Sequence, residues 1–341
     1  MSSNKRLVGL DFARFCAFVG MVLVNFRIVL TPEANQSAFV NFFEGKAAAL
    51  FVVLAGVGLG LAFAKNKLSY TVILKRAAFL MILGLLNSLI FPADIIHYYA
   101  VYFAFGCWFL PLPKRGLILA IIVVVMVSFT GLLALNYDVG WDWKTLEYEG
   151  FWTPDGFIRN LFYNGWHPVF PWIAFLLYGM WLSKIDIVTH AQNLAVYGFV
   201  ICAVLIVISG FISPILNEIE TDLGLLTGVV PVPPTPFYVG VGISGATVAI
   251  GICELLFKLD WMKPLLRLMS KAGRISLTLY IAHIVIGMGM FEELGWIGAL
   301  TENQSIIASL VFCVLSMLFA TLWMRMHKAG PLELLMRKIA G

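Results

Sequence analysis

The residues able to do chemistry in this chain are few, and nearly all lie in apolar surroundings. Asp94 and His97 stand three apart in PADIIHYYAVYF. Residues at that spacing touch on a helix, and a carboxylate that orients an imidazole and stabilises its charged form is the usual construction of a general base. Asp94, two residues after Pro92, equally suits an N-terminal helix cap. His167 lies in YNGWHPVFPW. Pro168 and Pro171 predict an irregular helix start, which membranes tolerate only where backbone is covered by protein or lines a wet cavity. His167 is therefore either a second candidate base or a residue at the water interface. In GRISLTLYIAHIVIG, Ser276, Tyr280 and His283 share one helix face at i, i+4 and i+7, with Gly287 extending it. Arg274 falls about 13 Å below His283 at about 1.5 Å rise per residue. This polar lane either lines a path to the bilayer centre or ties helices together.

The first apolar stretch, Val8 to Leu30, adds Asp11, Arg14, Asn25 and Arg27. Ionisable groups in lipid are expensive and rarely occur without a purpose. Asp11, Arg14 and Asn25 fall within an arc of roughly 60°, so one polar stripe can face protein. Asp11 and Arg14 suit an ion pair near the membrane surface, whereas Asn25 lies deeper. Glu44 and Lys46 in FFEGKAAALF mark the outer mouth of the next apolar run, as a rim ion pair or as a further acid–base candidate. Glu254 and Lys258, four apart, suit a helix ion pair.

The elements that must position these groups follow from composition. Apolar residues make up 61% and charged residues 12%, far from a soluble domain's roughly 45–50% and 25%. The expected fold is an all-α, polytopic integral membrane helix bundle with about ten spans, in one domain covering residues 1–341. The runs are Val8–Leu30, Gly45–Ala64, Tyr70–Phe91, Ile96–Leu112, Gly116–Leu135, Trp166–Leu182, Leu194–Leu216, Phe237–Phe257, Ile275–Phe291 and Ser305–Met326. Lys5, Arg6, Lys65, Lys75, Arg76, Lys114, Arg115, Lys184, Lys271 and Arg274 all fall on one side of this arrangement, and the alternate loops are mainly acidic. The basic bias predicts both termini in the cytoplasm.

The outer loop Asn136–Phe157 carries Tyr137, Trp141, Trp143, Tyr148, Phe151 and Trp152. It reads as an interfacial aromatic belt or as a platform on which a ring-bearing acceptor stacks. The loop Asn217–Pro236 ends in VPVPPTP, expected to be a stiff polyproline-like spacer. Gly56, Gly58 and Gly60 lie within a spanning run and predict close helix packing. The five cysteines sit in apolar runs without metal spacing, so no metal site is expected. The expected surroundings are a lipid bilayer, with no nucleic-acid partner and with self-association into a homo-oligomer left open.

Taken in order, GLDFARFCAFVGMVLVNF, FFEGKAAALFVVLAGVGLG, ADIIHYYA, NGWHPVFPW, GRISLTLYIAH and GPLELLMRKIAG resemble the bacterial YeiB-like membrane proteins. That family is similar to the heparan-alpha-glucosaminide N-acetyltransferases of a transmembrane acyltransferase superfamily. The resemblance implies residence in the bacterial cytoplasmic (inner) membrane. It also implies transfer of an acyl group, acetyl foremost, from cytoplasmic acyl-CoA to an outer hydroxyl or amine acceptor such as a saccharide. Asn25 falls where the similar enzymes carry a functional asparagine. Those enzymes place a catalytic histidine after the first span, and Thr31–Phe43 here has none; His97 or His167 would supply the base. Lys75, Arg76, Lys114, Arg115, Lys271 and Arg274 would hold CoA phosphates, and Asn25, His283, Tyr280 and Ser276 would line the thioester's cavity. The alternative is a transporter or exporter of a small polar or lipid-linked molecule, with the same groups lining its path. A noncatalytic assembly factor is a third class.

Overall fold

The computed structural model describes residues 7–31, 38–220 and 222–341. Lys5, Arg6 and most of the loop after the first span, including Glu33, lie outside the described residues. The chain is almost entirely helical: α1 (Val8–Leu30), α2 (Ala38–Phe43), α3 (Lys46–Ala64), α4 (Tyr70–Ser88), α5 (Ile96–Gly106), α6 (Lys114–Ala134), α7 (Pro154–Arg159), α8 (Val169–Leu182), α9 (Ala191–Ile219), α10 (Pro236–Leu256), α11 (Lys263–Gly273), α12 (Ser276–Ala282), α13 (Gly289–Glu293), α14 (Glu302–Met326) and α15 (Pro331–Ala340). A two-residue hairpin, β1 (Trp141–Asp142) with β2 (Glu147–Tyr148), pairs antiparallel in the loop after α6.

Among the described residues seven helices are long and apolar enough to cross a membrane, or eight if Asp260–Gly273 and Ser276–Glu293, bent by 68°, form one span. The chain is thus an integral membrane helix bundle. Two of the ten sequence-predicted spans come out short. α5 has 11 residues and α8 has 14, about 16 and 21 Å at about 1.5 Å each, against a core of about 30 Å. Apolar content extends through the 3₁₀ turn Cys107–Phe109 and through the non-helical Phe170, so hydropathy does not register where these helices break.

Burial separates two kinds of apolar helix. α8 is apolar all round and almost wholly buried between α3, α5, α6 and α10. α3 reaches it through the small residues foreseen in the sequence: a Cβ on Gly56 would stand 2.1 Å from the Leu176 carbonyl oxygen, and one on Gly179 would stand 2.0 Å from that of Val53. Only glycine allows such an approach. α9 is equally apolar yet packs chiefly on α10, leaving Tyr197, Phe199, Ile201 and Phe211 exposed for lipid. α1 sits among α3, α10, α11 and α14.

Three smaller expectations are corrected. The VPVPPTP segment folds as a turn over residues 231–234, seated beside Gly45, whose carbonyl accepts a hydrogen bond from Tyr238 at 3.1 Å. No ion pair joins Glu44 to Lys46, and none joins Glu254 to Lys258. Glu254 is buried against Gly9 with its Oε1 lacking a hydrogen-bond partner, because the face of α10 that carries it packs inward and not toward water. Asp11 and Arg14 do pair, at 2.7 Å.

Candidate functional site

The site is assembled where α4 ends and α5 begins. At Gly84 a Cβ would stand 2.2 Å from the backbone nitrogen of His97; glycine here lets the start of α5 lie against α4. That contact brings Asn87 and Ser88 beside the Asp94–His97 pair, and all four side chains are buried. Asp94 Oδ2 accepts the N–H groups of Ile96 at 2.7 Å and His97 at 3.3 Å, so the carboxylate caps α5 and meets donors left open at a helix start. The same oxygen lies 3.3 Å from His97 Nδ1. Oδ1 accepts from the Asn87 amide at 2.8 Å and from the Tyr280 hydroxyl at 3.3 Å.

This arrangement defines the state of His97. A carboxylate on Nδ1 places the proton there, which leaves Nε2 as a lone-pair acceptor. Nε2 is buried and has no hydrogen-bond partner. The ring lies 3.9 Å from that of Tyr98 and 5.9 Å from that of Phe151, centroid to centroid.

Phe151 belongs to the aromatic loop that follows α6, which forms a cover over this end of the bundle. Trp141 stacks on Trp143 at 4.6 Å and meets Trp166 edge-on at 4.9 Å. Asn164 fastens the loop, its amide donating to the carbonyls of Tyr137 and Val139. Beneath the loop is a cavity of about 420 Å³ lined by Ser88, Glu147, Tyr148, Phe151, Trp152, Thr153, Asn160 and Trp166, with Pro92 and Gly150. Ser88 belongs both to this lining and to the surroundings of His97, whose Nδ1 is 3.3 Å from its Oγ. Burial raises the pKa of Tyr148 above the phenol value, opposed by its hydrogen bond from Arg159, so its hydroxyl stays protonated.

His167 lies across Tyr98 from His97, at 5.8 Å from that ring and 4.6 Å from Trp172. Its carbonyl accepts from Tyr102 and its Nδ1 is unpartnered. The structure thus brings His97 and His167 to one tyrosine, and of the two only His97 has a carboxylate beside it.

A second histidine pair lies deeper. His283 opens a π-helical turn, His283–Met288, that follows α12. Its Nδ1 donates to the Tyr280 carbonyl, so Nε2 is the acceptor for the Asn25 amide at 3.0 Å. Tyr280 joins the two levels: its ring lies 4.9 Å from that of His283 and its hydroxyl reaches Asp94. Asn25, His283, Tyr280, Asp94 and His97 therefore form one line through the bundle.

The other sequence candidates lie apart from this line. Ser276 is at the first turn of α12, and Glu44 precedes α3 without a side-chain partner at the site. Arg76 donates to the Gly341 carbonyl at 3.0 Å and Arg274 to that of Lys328 at 3.1 Å, so the C-terminal segment lies over both. Lys75, Lys114 and Arg115 are exposed and Lys271 is half-buried. Asn87, Ser88 and Asn160 were not picked out from the sequence. The available signal was a polar pair, Asn87–Ser88, closing an otherwise apolar run just before Asp94.

Seven or eight candidate spans among the described residues, with a buried His–Asp pair under an aromatic cover, define a polytopic membrane protein with a candidate acid–base site. The catalytic model of heparan-alpha-glucosaminide N-acetyltransferase matches residues 6–211, and the chain belongs to that family. A family described as a protein of unknown function, DUF418, matches residues 186–341. The chain is also 22% identical to the uncharacterized protein YeiB of Escherichia coli (strain K12), over 98% of this chain and 96% of that protein. The YeiB-like relationship and its link to the N-acetyltransferases are thereby shown.

Proposed function

We propose that the protein is an acyl-CoA-dependent acyltransferase of the bacterial inner membrane that acetylates a hydroxyl or amine of an outer saccharide. The reading rests above all on His97, whose buried Nε2 has no partner while Asp94 occupies Nδ1, next to Ser88 in the lining of an aromatic cavity. In this reading α5, α8 and the bent α11–α12 pair complete ten spans, the shorter helices being covered by protein, and both termini are cytoplasmic.

Acyl-CoA approaches from the basic face, with its thioester at Asn25 and His283. His97 Nε2 takes the proton of the acceptor as its oxygen or nitrogen attacks the thioester carbonyl carbon. The carbon–sulfur bond breaks and the CoA thiolate takes up a proton as it leaves. The Asn25 amide is suited to stabilise the developing oxyanion, and Tyr148 with Trp152 and Trp166, which line the cavity, offers faces for a sugar ring. His97 is assigned as base over His167 because a carboxylate stabilises the imidazolium that forms.

The test is release of free CoA from labelled acetyl-CoA by the purified protein with a panel of amino sugars and glycans. Label should pass to a saccharide, and His97→Gln should lower turnover by about 10²–10⁴-fold with acetyl-CoA still bound. Absence of both acetyl-CoA binding and CoA release by folded wild-type protein refutes the proposal.

A further inference from the structure

A second, larger hollow of about 700 Å³ lies at the opposite end of the bundle, between α6, α8, α9 and α10. Its size is in the range of about 300–1,000 Å³ typical of small-ligand sites. Lys114, Lys184, Asp186 and His190 stand at its mouth, and Leu194, Ile201 and Ile243 are among its apolar walls. The mouth carries two lysines against one carboxylate, and Asp186 is already engaged by Thr189 Oγ1 at 2.7 Å. α6 and α9 both begin there, so their positive ends add to the lysines.

Three features select the occupant. The hollow opens sideways, because the lining residues Tyr197 and Ile201 on α9 are exposed on the apolar flank of the bundle. On α9 the lining runs from Asn193 to Ile201, about 12 Å at about 1.5 Å per residue, close to one leaflet of a core about 30 Å thick. Its aromatic rim, Tyr178 stacked on Trp181 at 5.6 Å, lies at the depth where such side chains meet headgroups. A soluble anion would have no use for the lateral opening or the long apolar wall.

We propose that this groove binds one anionic glycerophospholipid of the adjoining leaflet. Its phosphate sits on Lys114 and Lys184, and one acyl chain lies along Leu194, Ile201 and Ile243. Charge at the mouth and an apolar flank of one-leaflet depth are what such a lipid requires. The groove shares no residue with the His97 cavity; it does share Lys114 with the basic residues expected to hold CoA phosphates, and competition with acetyl-CoA separates the two assignments.

Native mass spectrometry of the full-length protein, delipidated in mild detergent and titrated with phosphatidylglycerol or phosphatidylcholine of matched chains, tests it. One phosphatidylglycerol should be retained in preference to phosphatidylcholine. Lys114→Gln and Lys184→Gln should each cut that preference about five-fold, and the double variant should abolish it. Lys65→Gln, exposed and outside the groove, should leave it unchanged. Equal retention of the two lipids, an unaltered preference in the double variant, displacement of phosphatidylglycerol by acetyl-CoA, or a lipid-free dimer would each overturn the proposal.

Discussion

Replacing Asp94 by Asn isolates the charge that this site is built on. Asn is an effective helix cap, so its carbonyl oxygen can still take the N–H groups of Ile96 and His97 that Oδ2 takes now. The new NH₂ would face the Asn87 amide nitrogen, now 2.8 Å from Oδ1. Asn87 can rotate its amide to accept instead, because its own Oδ1 has no partner in the native structure. The fold should survive, and what disappears is the negative charge beside His97 Nδ1. Hydrogen bonds to charged groups are worth about 1.5–3 kcal/mol, and about 1.4 kcal/mol is tenfold in rate. Asp94→Asn should therefore slow turnover by about 10- to 150-fold, less than loss of the imidazole itself. Continuous detection of CoA thiol at saturating acetyl-CoA measures it, with thermal unfolding in detergent as the check on folding. Turnover within twofold of wild type in a well-folded Asn variant would refute the view that Asp94 stabilises His97⁺.

The remaining predictions concern the frame around the site. Gly84→Ala should lower the unfolding midpoint, since its Cβ would stand 2.2 Å from His97 N and 2.7 Å from His97 Cα and overpacking costs about 1–3 kcal/mol; an unchanged midpoint would contradict the close α4–α5 contact. Glu333, on α15, caps α12 by accepting from Leu277 N at 2.9 Å and Thr278 Oγ1 at 2.6 Å. Burial holds its carboxyl above the usual range, against the opposing effect of those bonds. A raised pKa means the folded state keeps the proton longer, so stability falls as pH rises from the ordinary carboxylate value through the folded one. Glu333→Gln should flatten that fall between pH 4 and 8 in thermal melts, and an identical pH profile would exclude Glu333 as its source. In a cysteine-free variant, single cysteines at Thr145 and Lys263 should label oppositely with an impermeant maleimide in intact cells; equal labelling would overturn the assigned orientation.

How much of this was legible in the sequence depends on how far apart the interacting residues are. Asp94 and His97 could be paired because three residues on a helix bring side chains together. Tyr280 reaches the same carboxylate from 186 residues away, and no local spacing announces it. Asn25 and His283, 258 apart, were both singled out as polar groups in apolar runs, yet their direct hydrogen bond is a product of packing. The Glu254–Lys258 pairing failed for a related reason. The i, i+4 rule describes a wet helix surface, and this part of α10 turns its carboxylate into the bundle beside Gly9. Hydropathy counts α5 and α8 as full-length runs because it reports composition, while both helices end where backbone geometry changes.

The sequence left Asp94 open as either a cap or the partner of His97, and in the structure one carboxylate makes both sets of contacts. A carboxylate has two oxygens and about four acceptor directions, enough for both duties here. Oδ2 is held at the start of α5 by two backbone N–H groups, so its position is set by the helix and not by a flexible rotamer. His97 lies in the first turn of that same helix, and its imidazole meets an oxygen already fixed in place. Oδ1 is left for Asn87 and for Tyr280, whose helix continues to His283. Capping is thus what makes the pairing geometrically sharp, and the carboxylate that starts α5 is also the joint between the outer cavity and the Asn25–His283 level. A variant that preserves the cap and removes the charge separates the two duties, which is why Asp94→Asn is more informative than truncation to alanine.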